Sequence, residues 1–272
     1  MIIQREPSGA LRPFAKLLWA SDEPESTVPA NRERMIPTGS MHVVYRLSDN
    51  PIRIFDSMMD DRGQELGFGV VAGLRSRFYI KDICRPVRTV GALLRPGLAG
   101  SLFGVSAQEI ADRHISIQDL WGQDSVDLLE RLHQASTLQQ QLNIFESHLA
   151  SKIPLDNSIH PAVAYALKVI PVKGNIGEVV KETGYSHKHF IELFRTAVGQ
   201  SPGVYFRILR FQQALKGLTE SSESLIDIAL QAAYSDQAHF NREFRDIAGI
   251  TPGEYRNSRS ENHHVPIPII KR

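Results

Sequence analysis

Apolar positions change their spacing near residue 150. Before it, short β-branched and aromatic runs are broken by glycine and proline. After it, apolar residues recur every three or four positions, the helical period. Met41–Leu47, Phe68–Leu74, Phe78–Ile83 and Thr89–Leu94 read as strands, each ended by Gly, Pro or a charge. Ser116–Leu120, Ser125–His133 and Leu138–Leu149 read as helices, with Leu138, Leu142, Phe145 and Leu149 on one face of the last. Ser106 followed by Glu109 has the spacing of a capping box and predicts a helix start. Between the two textures, Pro154, Asp156, Asn157, Ser158 and Pro161 interrupt any regular element. The pattern predicts an α+β domain over residues 1–152, an all-α domain over 153–259 and a flexible tail over 260–272.

The second part contains a repeat. Gly184–Tyr205 recurs as Ala233–Tyr255, with Tyr185/Tyr234, Ser186/Ser235, Phe190/Phe240, Phe194/Phe244, Arg195/Arg245, Gly199/Gly249, Pro202/Pro252 and Tyr205/Tyr255 matched. The second copy has one extra residue between its Ser and its first Phe. Each copy follows a short amphipathic helix, Asn175–Thr183 or Ser224–Ala232, then a tight turn. Ser186 and Ser235 are the expected caps of the next helix. There the Phe pair turns one stripe to the core, leaving His189, Glu192 and Arg195, or Asn241, Arg242 and Arg245, facing outward. Gly199 and Gly249 stop these helices and Pro202 and Pro252 start the next. Helix, tight turn, helix with a polar outer face is a helix-turn-helix unit, whose second helix can enter a major groove. Pro202–Leu218 between the units reads as one helix of roughly 26 Å. With the width of the units added, that is the order of one DNA turn, about 34–36 Å.

Composition narrows the classes. Apolar residues make up 42% and charged residues 22% of 272, enough for packed cores. The net charge of +1 excludes a strongly basic coat, so non-specific binding should be modest at physiological salt. One cysteine, Cys84, excludes an internal disulfide and any multi-cysteine metal site. Neither an export signal nor a membrane-length apolar run is present, so a soluble cytoplasmic protein without membrane partner is expected. No histidine cluster has metal spacing, and no metal or cofactor is expected. His263-His264 sits in the Pro-rich tail, and Asp60-Asp61 with Gly63 reads as a turn.

Residues of about 160–257 resemble the DNA-binding domain of AraC/XylS-type bacterial transcription regulators. The resemblance rests on Ile228-Ala229-Leu230, Tyr234-Ser235-Asp236-Gln237-Ala238-His239-Phe240, Phe244-Arg245, Gly249-Ile250-Thr251-Pro252 and Tyr255-Arg256. It implies a seven-helix reader of double-stranded DNA that spans two successive major-groove segments, with RNA polymerase as a further partner if it activates. Two positions depart from the family pattern: Ala233 stands where Gly is usual in the second turn, and Val180 where Ala is favoured. If the first position needs φ > 0, Ala costs about 1 kcal/mol there. Residues 1–150 resemble an N-terminal domain of some members, through Pro37-Thr38-Gly39-Ser40, Arg95-Pro96-Gly97, Leu102-Phe103-Gly104-Val105 and Leu120-Trp121-Gly122. That resemblance implies sensing of a small-molecule effector, self-association as a homodimer, or both.

Base contacts come from the outer face near the start of each recognition helix. In the second unit these positions are Asp236, Gln237, Ala238, Asn241 and Arg242, with Gln237 suited to adenine and Arg242 to guanine. In the first unit they are His187, Lys188, His189 and Glu192, the last able to accept from cytosine N4 or to repel phosphate. Arg195 and Arg245 suit phosphate clamping, and Ser186 suits a cap facing phosphate. His239 reads better as a packing residue. No catalytic residue is assigned. Two alternatives remain for the first domain. One is a protein-interaction module, which exposed apolar residues on Leu138–Leu149 would favour. The other is an enzymatic or sensor activity at Cys84, whose neighbours Lys81, Arg85 and Arg88 would lower its pKa. Trp19 and Trp121 are expected in the core.

Overall fold

The structure is a computed structural model, and it describes residues 1–23, 32–55, 57, 59–83, 87–156, 158–258 and 267–269. Cys84 and the His263-His264 pair lie outside the described residues. The first part builds β1 (Ile2–Arg5), β2 (Ala15–Glu23), β3 (Arg32–Met35), β4 (Met41–Arg46), β5 (Arg53–Phe55), β6 (Gln64–Glu65), β7 (Gly69–Ala72), β8 (Tyr79–Asp82), β9 (Val87–Leu94) and β10 (His114–Ser116). Three helices follow: α1 (Ile117–Trp121), α2 (Gln123–Gln134) and α3 (Leu138–Ser151). One antiparallel sheet has the order β1-β2-β9-β4-β7-β10. The second places β3-β8-β5-β6 side by side and adds β11 (Ile267–Ile269) outside β3. Ile52, Ile54, Leu66 and Val70 pack between the sheets with Val44 and Tyr79.

The four strands with clear apolar patterns are β4, β7, β8 and β9. β3 is the instructive miss. Its sequence, Arg-Glu-Arg-Met, has no apolar alternation, yet Arg32 and Glu33 are buried. Arg32 donates to the Asp60 carbonyl at 2.7 Å and lies 3.7 Å from the Phe55 ring centroid. Glu33 pairs with Lys81 at 2.6 Å. Buried charges of this kind survive only when paired, so ion pairs supply here what apolar contact supplies elsewhere.

Four expectations change. Ser106 N–H does donate to Glu109 Oε2 at 2.8 Å, but residues 107–112 form turns rather than a helix. Helix α3 buries Leu138, Leu142, Phe145 and Leu149 on β2 and β9, so the apolar face that would have favoured a helix-mediated dimer is covered. In the region expected as a flexible tail, Ile267–Ile269 pairs with Arg32–Arg34. The fourth change concerns the division of the molecule.

The helical part consists of α4 (Pro161–Lys173), α5 (Ile176–Thr183), α6 (His187–Val198), α7 (Pro202–Glu220), α8 (Leu225–Gln231), α9 (Gln237–Ala248) and α10 (Pro252–Asn257). The turn signals near residue 153 mark where the backbone leaves α3, but the core does not stop there. One apolar cluster runs from Leu11 through both domains to Tyr205 and Ile208 at the start of α7. A separate cluster begins at Phe211 on the same helix and ends at Tyr255. Packing therefore divides the molecule within α7. Proline lacks the backbone donor that would carry a helix across this stretch, whereas apolar contact passes across it: Ile159 and Leu167 close over Gly97.

Candidate nucleic-acid interface

The first helix-turn-helix unit is α5 and α6. Asn175 caps α5 by accepting Glu178 N–H, and Gly184 ends it at φ 73°. Ser186 caps α6 by accepting His189 N–H at 3.4 Å. Phe190 and Phe194 are fully buried, 5.9 Å apart. Ser186, His187, Lys188, His189, Glu192 and Arg195 are all exposed, and Lys188, Glu192 and Arg195 share one face at spacings of four and three.

The second unit, α8 and α9, repeats this with one change. Ser224 caps α8, but α9 is capped by Asp236, not Ser235. The extra residue in the second copy is taken up in the turn, because each cap must lie four residues before the first buried Phe. Asp236 Oδ1 accepts His239 N–H at 2.7 Å, and Ser235 donates to the other carboxylate oxygen at 3.1 Å. These bonds, the backbone one foremost, hold the Asp236 carboxyl below the usual carboxylate range. Counted from the caps, Gln237 matches His187, Ala238 matches Lys188, Asn241 matches Ile191 and Arg242 matches Glu192. Asp236, Ala238, Arg242 and Arg245 are exposed, and Gln237 and Asn241 partly so. Asp236 thus spends its acceptor capacity on its own helix. His239 packs edge-on to Tyr234 and meets Ser235 Oγ at 3.0 Å, a packing role. In the first unit His189 lies beside Tyr185, 5.2 Å between centroids.

Ala233 stands at φ 58°, so the turn does impose the left-handed backbone that glycine takes at Gly184. Its carbonyl accepts from Arg210 at 3.2 Å. Arg210 also covers the Tyr234 ring at 4.2 Å and meets Glu243 at 2.5 Å. Glu243 takes Arg207 as well, at 3.2 Å, and Arg207 reaches Asp246 at 2.9 Å. This network fastens α9 to α7, and reading the sequence for DNA contacts passed over it. A signal was present: Glu243 aligns with Leu193 in the first copy, so the repeat keeps the position and changes its chemistry.

In the first domain, a cavity of about 220 Å³ is lined by residues that include Phe55, Gln64, Arg75, Tyr79, Asp112 and His114. His114 Nε2 is buried without a hydrogen-bond partner. Burial first, then the positive charge of Arg75 and His42, depresses its pKa to about 3 and keeps the ring neutral. Phe78 and Tyr79 of β8 and the turn before it also line this cavity, whereas Trp19 and Met41–Leu47 do not. Trp19 is partly buried over Gly91, and Trp121 stacks on Phe103 at 5.4 Å and donates to the Leu102 carbonyl. His160 caps α4, accepting Ala162 N–H at 3.2 Å. Among the described residues, no group of three or more His, Cys, Asp or Glu is placed to hold a metal, and no helix is long and apolar enough to cross a membrane.

Residues 179–258 match the family profile described as a helix-turn-helix domain, and residues 3–116 match a domain of unknown function, DUF6597. The chain is similar to the "Probable transcription factor PqrA" of Proteus vulgaris, 35% identical over 83 residues, covering 30% of this chain and 68% of that protein. It is 30% identical over 125 residues to the HTH-type transcriptional regulator ArgR of Pseudomonas aeruginosa, covering 43% of this chain and 37% of that one. An uncharacterized HTH-type regulator of Haemophilus influenzae is likewise covered over only 40% of its length. Among solved structures, apo ToxT from Vibrio cholerae aligns over 93% of this chain and 99% of its own, with a TM-score of 0.49 and 10% identity. An AraC-type regulator from Chromobacterium violaceum aligns over 37% of this chain and 94% of its own, with a TM-score of 0.35 and 26% identity.

Proposed function

Since the chain belongs to the AraC-type helix-turn-helix transcription regulators, a family of DNA-binding proteins that are not typically enzymes, we propose that it reads a two-box operator with α6 and α9 in successive major-groove segments. The observation that carries this reading is the pair of equivalent exposed faces, Lys188, Glu192 and Arg195 on one helix and Ala238, Arg242 and Arg245 on the other, each behind a capped N-terminus and over a buried Phe pair. Arg242 pairs with guanine and Gln237 with adenine in the second box. His187, Lys188, His189 and Glu192 face the first box, Asn241 flanks the second, and Arg195 and Arg245 hold phosphates. Ser186 and Asp236 serve their helices as caps at the edge of the contact.

The chain acts in the bacterial cytoplasm, on double-stranded DNA, with RNA polymerase as partner where it activates. The first domain gates this action through an effector at the His114 cavity, supported by a buried imidazole nitrogen with no partner. Selection from a random DNA library with wild type and Arg242→Ala in parallel tests the reading. A two-box motif whose second box alone relaxes, by about 1–3 kcal/mol of discrimination, is the expected result. Recovery of no motif by the folded protein would overturn it.

A further inference from the structure

The first domain grips both helix-turn-helix units, and it does so at equivalent places. In the first unit, the Thr196 carbonyl accepts Ala107 N–H at 3.0 Å, and a Cβ on Gly199 would lie 2.9 Å from the Ala107 carbonyl oxygen. The next residue, Gln200, is buried and donates to the Leu74 carbonyl at 3.1 Å and to Asp112 Oδ2 at 2.7 Å. In the second unit, the Ile247 carbonyl accepts Phe78 N–H at 2.7 Å, and a Cβ on Gly249 would lie 2.5 Å from the Phe78 ring. Arg77 pairs with Asp246 at 2.9 Å. Gly199 and Gly249 are the matched residues that end the two recognition helices, at the opposite pole from the exposed reading positions.

One short loop takes part in both grips. Leu74 holds the first unit and Phe78 the second, four residues apart, which is at most roughly 14 Å of extended chain. Asp112 fixes the loop: it accepts Ser76 N–H at 2.6 Å and Gln200 at 2.7 Å, and its own N–H donates to the Leu74 carbonyl at 3.2 Å. Asp112 does this at φ 56°. Among the described residues it and Ala233 are the only non-glycines with positive φ. Strain of this kind persists where the surroundings over-determine a residue, and such residues cluster at switches and clamps.

We infer that the loop from Leu74 to Phe78, locked by Asp112, fixes the separation of the two recognition helices and thereby the spacing between operator boxes that the protein accepts. α7 alone does not set it, because its first half, to Leu209, packs into one apolar core and its second half, from Phe211, into another. Phe78 and Gln200 are positioning residues in this scheme. They touch no base, and the exposed faces of α6 and α9 are unaffected by them. The inference rests on the DNA reading proposed above for its consequence, and on the fold alone for its geometry.

Two measurements on the full-length chain test it. Spin labels on Lys188→Cys and Ala238→Cys, with Cys84→Ser as background, report the separation of α6 and α9 by pulsed electron resonance without DNA. A single narrow distance distribution is expected, broadened about twofold by Phe78→Ala and by Gln200→Ala, with circular dichroism unchanged. An unchanged width in both folded variants overturns the inference. In the second measurement, unlabelled proteins select from a library in which spacing between the boxes varies by single base pairs. Wild type should prefer one spacing by roughly tenfold, within the usual range of couplings between sites. The variants should lose that preference while keeping each box sequence. Retention of the wild-type spacing by a variant with broadened distances overturns the inference and leaves the DNA reading intact. If wild type enriches no box, the DNA reading fails instead, and the distance measurement still decides whether the loop sets the separation.

Discussion

Val179, Val180, Phe190, Phe194 and Val198 of the first unit belong to the apolar cluster that also contains Leu18, Val43, Leu132 and Phe145 of the first domain. Ile228, Ala229, Phe240, Phe244 and Ile247 of the second unit close a cluster of their own against α7. Two copies of one pattern have thus been integrated differently. The first is part of a larger body, and its recognition helix inherits the rigidity of the sheets behind it. The second is a small core on the far half of a shared helix, held in orientation by Arg207, Arg210, Glu243 and Asp246 and by the grip of Phe78. Sequence similarity between repeats reports the local helix-turn-helix geometry, and says little about what each repeat is mounted on.

That contrast can be broken most forcefully in the Phe pairs. Phe194→Ala and Phe244→Ala should each cost about 3–5 kcal/mol locally. The first should lower the main unfolding transition of the whole molecule. The second should open residues 211–257 separately, seen as hydrogen exchange confined to α8–α10. Equal exchange across both units in the Phe244→Ala variant would mean that the two cores unfold as one. Glu243→Ala comes next. Its carboxylate is nearly buried between two guanidinium groups, and removing one member of such a network costs about 3 kcal/mol. Chemical denaturation should detect the loss, and a denaturation midpoint unmoved by the substitution would remove the network from the account.

Acid should distinguish the bodies in the opposite order. His114 is neutral in the folded chain with its pKa lowered to about 3, against 6.5 as the ordinary value. The unfolded state binds the extra proton first, so stability falls as pH drops from about 6.5 towards 3. The loss should appear in the first domain before α8–α10. His114→Gln should flatten that limb of the stability curve, and an unaltered curve would discount the imidazole. A smaller effect is expected of Glu192→Arg, which gives α6 the charge that Arg242 gives α9. Affinity should rise at low salt, and the logarithmic salt dependence should steepen by about one unit, the amount expected for one added phosphate contact. The smallest change is Ala233→Gly, which relieves the left-handed backbone of the second turn and should raise stability by about 1 kcal/mol. A melt showing no gain would mean that the turn relaxes around alanine.

Legibility in the sequence followed the range of the forces involved. The helices of both units, their turns and the Phe pairs were readable because period, cap and glycine stop lie within a dozen residues of one another. The strain at Ala233 was readable because the first copy puts Gly184 there. The cap of α9 was misassigned to Ser235 because the match of the repeats was anchored on Ser rather than on the buried Phe240. β3 was hidden because Arg32 and Glu33 are buried by partners at Asp60, Phe55 and Lys81, up to about fifty positions away. The shared core was hidden for the same reason: Gly97 meets Ile159 and Leu167 across a break that reads, locally, as the end of a domain. The exposed faces of α6 and α9 were legible; the grip of Leu74 and Phe78 on Gln200 and Ile247, joining three distant segments, was not.

The cap exchange at α9 has an electrical consequence. The free amides at a helix start carry the positive end of the helix dipole and attract phosphate. Ser186 is neutral and leaves that attraction intact on α6. Asp236 sets a full negative charge at the same point on α9 and engages the His239 amide. Under the proposed DNA reading, a strand nearing the second unit meets that charge, and Arg242 and Arg245 would have to outweigh it. The two copies therefore differ in the charge at the start of the helix proposed to read DNA, neutral in the first and negative in the second, a difference that accompanies the one-residue insertion in the turn.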